Sequence, residues 1–198
     1  MIADAEVIPD GLAPPDDVPG PIFAAATTTF LDGRRLDMRA LAGELGIGRA
    51  TLYRRVGGRD HLLGAVLWYL TRRAIGRAMS AGEDREGVER ITAISGAFMR
   101  DVNEQPAFRR LLEYEPEAAL RILTSKHGPI QQGVIEWTSR LLAQEEERGA
   151  IRLGIDRATL AYVIVRVGES FLYADVIADN EPDVDLAVEV IGRLLRPE

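Results

Sequence analysis

Cysteine is absent from this 198-residue chain, which excludes disulfide bridges, thiolate nucleophiles and cysteine-based zinc sites. Only two histidines are present, His61 and His127, and they do not have the spacing of a metal site. No set of nucleophile, base and orienting residue can be recognised either. We therefore expect no catalytic or metal-binding residues, no cofactor and no enzyme activity. A chain without cysteine also suits a reducing cytoplasm.

The chain also lacks an uninterrupted apolar run long enough to cross a bilayer. Its most apolar segment, LAYVIVRVGESFLYADVIA, contains Arg166, Glu169 and Asp175, which a membrane-spanning helix tolerates poorly. The first 20 residues carry five acidic side chains and no basic one, the opposite of a signal peptide, and their four prolines disfavour a helix. We expect residues 1–20 to be a flexible leader and the protein to have no membrane partner.

Lysine is nearly absent, because Lys126 stands alone against 23 arginines, so almost every cation can form a two-pronged hydrogen bond. The formal net charge is −7. Residues 34–60 nevertheless hold seven arginines and three acids, a local charge of 7 − 3 = +4, which leaves −7 − 4 = −11 for the rest of the chain. A basic segment on an acidic chain is typical of a protein that binds DNA through one confined surface.

Apolar residues recur at every third or fourth position, and no segment alternates as a half-buried strand does, which predicts an all-α fold. We expect three short helices followed by about six longer ones, a small N-terminal module on a larger helical body. Proline, glycine and N-cap signals predict helices over residues 21–32, 37–45, 49–56, 59–80, 88–102, 107–113, 116–124, from KHGP to QEEERG, 156–178 and 184–195.

Residues 37–56 have the layout of a helix-turn-helix, whose second helix enters the major groove of DNA. The positions spaced to form its shared core are Met38, Leu41, Leu45, Ile47 and Leu52. Asp37 is a candidate N-cap, and Gly46 can take the positive φ that a tight turn needs. Arg49, Arg54 and Arg55 then remain for the outer face of the second helix.

Arginine can donate two hydrogen bonds to guanine O6 and N7, so Arg49, near the start of the third helix, is the first candidate for reading a base. Thr51 and Tyr53 can donate hydroxyl hydrogen bonds to phosphate, and Arg59 places its charge beside a helix N-terminus. A run of arginines can equally be a solvated helix face. The order and spacing of the residues between the arginines favour DNA binding instead.

The segment LDMRALAGELGIGRATLYRRVGGRDHLL resembles the DNA-binding segment of TetR-family transcriptional regulators. An Ala-containing helix, a glycine turn, a T-L-Y core and a basic-acidic-x-Leu start to the fourth helix recur in the family's order. The matching positions are Ala42, Gly46, Ile47, Thr51, Leu52, Tyr53, Arg59, Asp60 and Leu63. The resemblance implies a helix-turn-helix DNA-binding domain over residues 21–70. It also implies a helical ligand-binding and dimerisation domain over residues 71–198.

The family's roles carry over by position. The resemblance implies base and groove contacts from Gly48, Arg49, Ala50 and Arg54, and phosphate contacts from Thr51, Tyr53, Arg55 and Arg59. The chain departs from the family at four places. Asp37 stands where a hydroxyl residue often lies near phosphate, Gly48 replaces the common serine cap, Val56 replaces an aromatic that locks the third helix, and Arg59 replaces lysine. The change at Val56 predicts a looser module.

In the body, Tyr162, Arg166, Glu169 and Tyr173 are spaced four, three and four residues apart, so they form one stripe on an apolar helix. Three interpretations are open: an intrahelical Arg166–Glu169 pair that completes the structure and faces a partner subunit, a wall of the ligand cavity, or plain solvent exposure. Further apolar walls and polar points for a small-molecule site are Phe98, Met99, Tyr114, His127 and Trp137.

The segments FRRLLEYEPEAALRILTSKHGPIQQGVIEW and VRVGESFLYADVIA resemble the C-terminal domain of QsdR-type members of the family, which implies an acyl-lactone or its opened hydroxy acid as inducer. Our hypothesis is a homodimeric repressor that binds a palindromic operator in double-stranded DNA and is released by a small-molecule effector. The last two long helices would pair the subunits. The alternatives are a helical ligand-binding or interaction module without sequence-specific DNA binding, and a helical enzyme.

Overall fold

A computed structural model describes residues 17–126 and 128–196, and the regular structure in these ranges is helical, which confirms the all-α prediction. The helices are α1 (Gly20–Leu31), α2 (Met38–Glu44), α3 (Arg49–Val56), α4 (Arg59–Ala78), α5 (Gly87–Asn103), α6 (Pro106–Tyr114), α7 (Pro116–Leu123), α8 (Pro129–Glu147), α9 (Arg157–Leu172), α10 (Ala174–Ile177) and α11 (Val184–Leu194). None of the helices in these ranges has both the length and the apolarity to cross a membrane.

Most of the predicted leader, residues 1–16, lies outside the described residues. The four leader residues that are described differ from the expectation of a free tail. Val18 is only 3% exposed, and α1 already begins at Gly20. Asp17 Oδ2 lies 3.1 Å from His61 Nε2. The chain therefore joins the folded protein a few residues before the predicted boundary, because Val18 can be buried.

The described residues form two compact units. The first unit contains the residues up to Thr71 together with Gln105–Gln131, and the second unit contains Arg72–Glu104 and the residues from Gln132 onward. Helices α6 and α7 thus belong to the unit that holds α1, α2 and α3. The division predicted at residue 70 did not include this grouping, because the sequence does not indicate which distant helices pack together.

The helix-turn-helix forms as local signals predict. The Asp37 carboxylate accepts hydrogen bonds from the backbone N–H groups of Arg39 and Ala40 at 2.8 and 2.7 Å, which caps α2. Gly46 ends the turn with φ of 63°. The buried residues of the two helices are Met38, Leu41, Ala42, Leu52 and Val56. Leu45 and Ile47, predicted in this core, are only half-buried because both lie in the turn.

The predicted helix over residues 156–178 is wrong in its length, because α9 ends at Leu172 and a short helix, α10, follows. The break lies at Tyr173, whose backbone takes φ −109° and ψ 19°. No glycine or proline occurs between residues 169 and 178 to signal it. Tyr173 is only 7% exposed, so the chain turns where its ring is buried. Packing, and not local propensity, ends α9.

Candidate functional site

Helix α3 presents one exposed face and one buried face. Leu52 and Val56 are 0% and 1% exposed, so they hold the helix against the rest of the first unit. The exposed positions of α3 and its cap are Gly48, Arg49, Ala50, Tyr53, Arg54 and Arg55, and Thr51 is half-buried. The structure therefore brings together on one accessible surface most of the residues predicted to contact DNA.

Arg49 and Tyr53 lie one helical turn apart on this surface. The guanidinium carbon of Arg49 is 5.5 Å from the centre of the Tyr53 ring, within the range of a cation–π interaction. Tyr53 keeps 36% of its surface exposed. The ring thus supports the arginine on the helix surface and leaves the tyrosine hydroxyl available to a partner.

The seven arginines between residues 34 and 60 fall into two sets. Paired with carboxylates at 3.4 Å or less are Arg34, Arg35 and Arg59. The other four form no ion pair among the described residues and are exposed: Arg39, Arg49, Arg54 and Arg55. The second set lies entirely on α2 and α3. The positive charge that carboxylates do not neutralise is therefore concentrated on the helix-turn-helix.

Arg59 is placed differently from the prediction that it contacts phosphate. Its side chain is 20% exposed, and Nη2 donates to both carboxylate oxygens of Glu115 at 2.7 Å. Its Nε donates to the carbonyl of Leu36 at 2.8 Å. The sequence could not indicate this, because Glu115 is 56 residues away in the chain. Arg59 connects the loop before α2 to the α6–α7 junction, so we treat it as a positioning residue.

His61 is a positioning residue that the sequence analysis did not identify. Its Nδ1 lies 2.9 Å from the carbonyl oxygen of Val56, the last residue of α3. A carbonyl can only accept, so Nδ1 carries the hydrogen in this contact. His61 thus fixes the C-terminal end of the exposed helix against α4. No pattern in the sequence marks this role.

The second unit contains three of the predicted effector residues in its core. Phe98, Met99 and Trp137 are 8%, 3% and 2% exposed, and the rings of Phe98 and Trp137 are 5.3 Å apart. Trp137 Nε1 is buried and has no hydrogen-bond partner among the described residues. A buried donor without an acceptor is uncommon in proteins, which distinguishes this nitrogen from the other groups of the core.

On α9, the predicted stripe divides between the surface and the interior. Arg166 Nη1 donates to Glu169 Oε2 at 2.6 Å, so the intrahelical ion pair is present. Arg166 and Tyr162 face solvent in the described chain, since the Arg166 side chain is 46% exposed and Tyr162 is 52% exposed. Tyr173 is buried, and burial raises the pKa of its hydroxyl well above the ordinary value, with the nearby charge of Glu169 adding to the rise.

The remaining predicted effector residues do not join this core. Tyr114 is 73% exposed and belongs to the first unit, where it lines a cleft beside α6. His127 lies outside the described residues. Gln131 of the first unit is 6% exposed, and neither its amide nitrogen nor its amide oxygen has a hydrogen-bond partner among the described residues. Nothing in the sequence pattern distinguishes Gln131 from other polar residues of α8.

Comparison with known proteins gives consistent results. Residues 86–196 match the family described as tetracyclin repressor-like, C-terminal domain. The transcriptional repressor QsdR of R. erythropolis, from the TetR family, is 31% identical, with 89% of this chain and 95% of that chain covered and a TM-score of 0.79. The TetR family repressor AlkX of Dietzia sp. strain DQ12-45-1b is 25% identical, with 88% and 93% covered and a TM-score of 0.60.

A third solved structure, the regulator FadR of Bacillus subtilis in complex with stearoyl-CoA, is 14% identical, with 88% of this chain and 96% of that chain covered and a TM-score of 0.57. At this identity the likeness concerns the fold alone. No match was found among curated proteins.

Proposed function

The chain belongs to the TetR family of ligand-responsive, DNA-binding transcriptional regulators, and from this premise we propose that it is a homodimeric repressor of a palindromic operator. One observation carries the proposal: the four arginines of residues 34–60 that form no ion pair among the described residues all lie on α2 and α3. A patch of this kind displaces counterions from DNA phosphates, while the acidic remainder of the chain keeps other surfaces away from the duplex.

We assign separate DNA contacts to the residues of α3. Arg49 and Arg54 would read base edges in the major groove, where the small residues Gly48 and Ala50 permit close approach. The phosphate contacts would come from Thr51, Tyr53 and Arg55. Arg59 is left out of this set because Glu115 already binds its guanidinium group.

Two subunits would pair through α9 and α11, as the family resemblance implies. These helices expose apolar side chains in the described chain, including Tyr162 at 52%, Leu186 at 44% and Leu194 at 38%. Pairing would place two α3 helices about 34–36 Å apart, the spacing of successive major grooves. An effector would release DNA by binding more tightly to the subunit arrangement in which this spacing is wrong.

We propose an acyl-lactone or its opened hydroxy acid as the effector. The buried indole N–H of Trp137 is a donor suited to a lactone carbonyl, and the Phe98 ring beside it offers an apolar wall. The likeness to the repressor QsdR over 89% of the chain supports this choice. Titration of the operator complex with γ-lactones of increasing acyl chain length should release DNA, and no release across the series would reject this effector class.

The solved relatives named above are transcriptional regulators and not enzymes. We accordingly propose a cytoplasmic regulator without catalytic activity. The rival function is a ligand-binding module that does not read DNA. It predicts no saturable binding to any genomic duplex, so DNA affinity separates the two.

The test uses an operator duplex identified by mapping the protein's binding sites on its own genome. Its affinity should fall steeply with salt, with a slope near −0.9 for each phosphate contacted. Arg55→Gln should reduce the magnitude of that slope by about one, whereas Arg49→Gln should lower affinity about tenfold and relax specificity at one base pair. Arg152→Gln, at an exposed position in the loop before α9, is the matched control.

Unchanged operator affinity after replacement of both Arg49 and Tyr53 would contradict the assignment of α3. An equal change in the Arg152→Gln control would show that only net charge matters, and not the position of the arginines.

A further inference from the structure

A cleft of about 360 Å³ opens in the first unit where the end of α1, the loop before α2, the start of α4 and α6 meet. Its apolar lining consists of Phe30, Leu36, Leu63, Ala107 and Leu111, all buried. Its polar lining consists of Arg34, Arg35, Arg59, Arg110, Tyr114 and Glu115. The cleft therefore combines an apolar floor with a rim that holds four guanidinium groups.

The positive charge of this rim exceeds the negative charge that neutralises it. Four arginines meet three carboxylates, those of Asp32, Asp60 and Glu115, which leaves 4 − 3 = +1. Positive charge gathered in a concave site with apolar walls attracts small anions more strongly than the same charge on a convex surface. The cleft thus favours a negatively charged occupant.

Two of these arginines, Arg110 and Arg35, have guanidinium N–H donors that could bind an anion. Arg110 has no hydrogen-bond or ion-pair partner among the described residues. Arg35 approaches Glu115 only through Nε, at 3.4 Å, and its side chain is 75% exposed. Arg59 has fewer free donors, since its guanidinium group already donates to Glu115 and to the Leu36 carbonyl. An anion would therefore be held mainly by Arg110 and Arg35.

The position of Arg110 depends on a glycine. Gly33 has φ of 68°, and a Cβ atom built on it would lie 2.2 Å from Arg110 Nη1 and 2.9 Å from Arg110 Cδ. No side chain larger than hydrogen fits there without moving the arginine. The exposed guanidinium group of Arg110 thus lies against the backbone of the loop at Gly33, beside the cleft.

We propose that this cleft binds a small amphipathic anion, a phosphate or carboxylate group attached to a compact apolar body. The anionic group would accept hydrogen bonds from Arg110 and Arg35, for which paired donors are well suited. The apolar body would lie on the side chains of Phe30, Leu63 and Leu111. Apart from Tyr114 on its rim, the site uses none of the residues proposed for the effector.

Isothermal titration calorimetry on the full-length protein without DNA tests the site, with phenyl phosphate, inorganic phosphate and benzyl alcohol as probes at constant ionic strength. Phenyl phosphate should bind saturably, inorganic phosphate more weakly, and benzyl alcohol not at all. Arg110→Gln should weaken phenyl phosphate binding about tenfold or more, because it removes charge-assisted hydrogen bonds. Arg152→Gln removes the same charge from an exposed position outside the cleft and should leave binding unchanged.

Several results would overturn the proposal. Binding that does not saturate, or equal weakening by Arg110→Gln and Arg152→Gln, would show attraction to net charge only. Benzyl alcohol binding as tightly as phenyl phosphate would reject the anion. Loss of operator affinity in Arg110→Gln without any phenyl phosphate binding by the wild type would assign the arginine to the DNA backbone. If circular dichroism shows that Arg110→Gln does not fold, Arg35→Gln takes its place and should show the same weakening of phenyl phosphate binding.

Discussion

Asp37 and Gly48 begin the two helices of the helix-turn-helix in different ways. The carboxylate of Asp37 accepts from the first free N–H groups of α2, so those donors are already satisfied. Gly48 has no side chain that could cap α3, so the first N–H groups of α3 donate to no side chain of the N-cap residue. In the proposed complex the N-terminus of α3, and not that of α2, would therefore offer free N–H groups to DNA.

Asp37 also makes the stability of α2 depend on pH. The N–H of Ala40, more than any other group, holds the pKa of the Asp37 carboxyl below its ordinary value, and the N–H of Arg39 and the charges of Arg35 and Arg49 lower it further. A group with a lowered pKa stabilises the fold above its unfolded pKa and loses this effect as pH falls through the folded value. Stability from this cap is thus present at neutral pH and lost in acid.

The variant Asp37→Asn separates capping from charge, because asparagine caps a helix but does not titrate. The melting temperature at pH 7 should stay close to that of the wild type, and its decline below about pH 4 should be smaller. Asp37→Ala should lower the melting temperature at pH 7 as well. Asp84→Asn, an exposed carboxylate that caps no helix, is the control for thermal melts by circular dichroism. Identical acid profiles for Asp37→Asn and the wild type would contradict the cap.

Helices α5 and α8 are joined by a buried ion pair. Arg90 Nη1 lies 3.0 Å from Glu145 Oε1, with side chains 3% and 0% exposed. Glu145 Oε2 accepts from the backbone N–H of Gly87 at 2.6 Å, and Gln144 Oε1 accepts from Arg90 at 2.9 Å. Arg148 Nη1 donates to the same carboxylate at 2.8 Å. The network ties the start of α5 to the end of α8 and satisfies a charge that burial would otherwise penalise.

Replacing Arg90 with leucine should therefore lower the free energy of unfolding by about 3–5 kcal/mol, since Glu145 would remain buried without its main partner. Urea denaturation followed by circular dichroism gives this value. Arg157→Leu is the matched control, because its pair with Glu146 is exposed and should be worth at most about 1 kcal/mol. Similar losses in the two variants would mean that burial adds nothing to the pair.

The helices themselves could be predicted from nearby residues. The N-caps at Asp37 and Asp156 lie where the sequence indicated, as do the ends of α3. The Arg90–Glu145 pair could not be predicted, because its partners are 55 residues apart in a chain with 31 acids and 24 basic residues. The end of α9 could not be predicted either, because the break at Tyr173 follows from burial of its ring and not from a local sequence signal.

At the scale of the whole molecule, helices α10 and α11 expose large apolar side chains to solvent in the described chain. Leu186 and Leu194 on α11 lie eight residues apart, about 80° around the helix axis, and are exposed at 44% and 38%. Ile177 on α10 is exposed at 54%. Exposed apolar patches mark surfaces that another protein covers, and a stable dimer buries about 800 Å² per subunit. The proposed pairing through α9 and α11 would cover the α11 side chains.

The double substitution Leu186→Glu with Leu194→Glu should convert the proposed dimer to a monomer and lower operator affinity at least about tenfold, because a single α3 helix reads only half of the palindrome. Light scattering during size-exclusion chromatography measures the first effect and fluorescence anisotropy the second. Ile155→Glu, exposed at 52% just before α9, is the control and should leave the dimer intact. A double variant that remains dimeric would place the interface elsewhere.

The all-α class, the helix-turn-helix and the TetR family could be predicted from the chain, and each is confirmed. These features rest on caps, turns and apolar stripes, whose physical causes act over three or four residues. The pairing of Arg59 with Glu115 and the cleft around Arg110 could not be predicted, because both need segments far apart in the chain to meet. Only the tertiary structure decided which arginines of residues 34–60 pair with carboxylates, because an ion pair depends on the distance between two groups and on their burial, which the order of residues does not state.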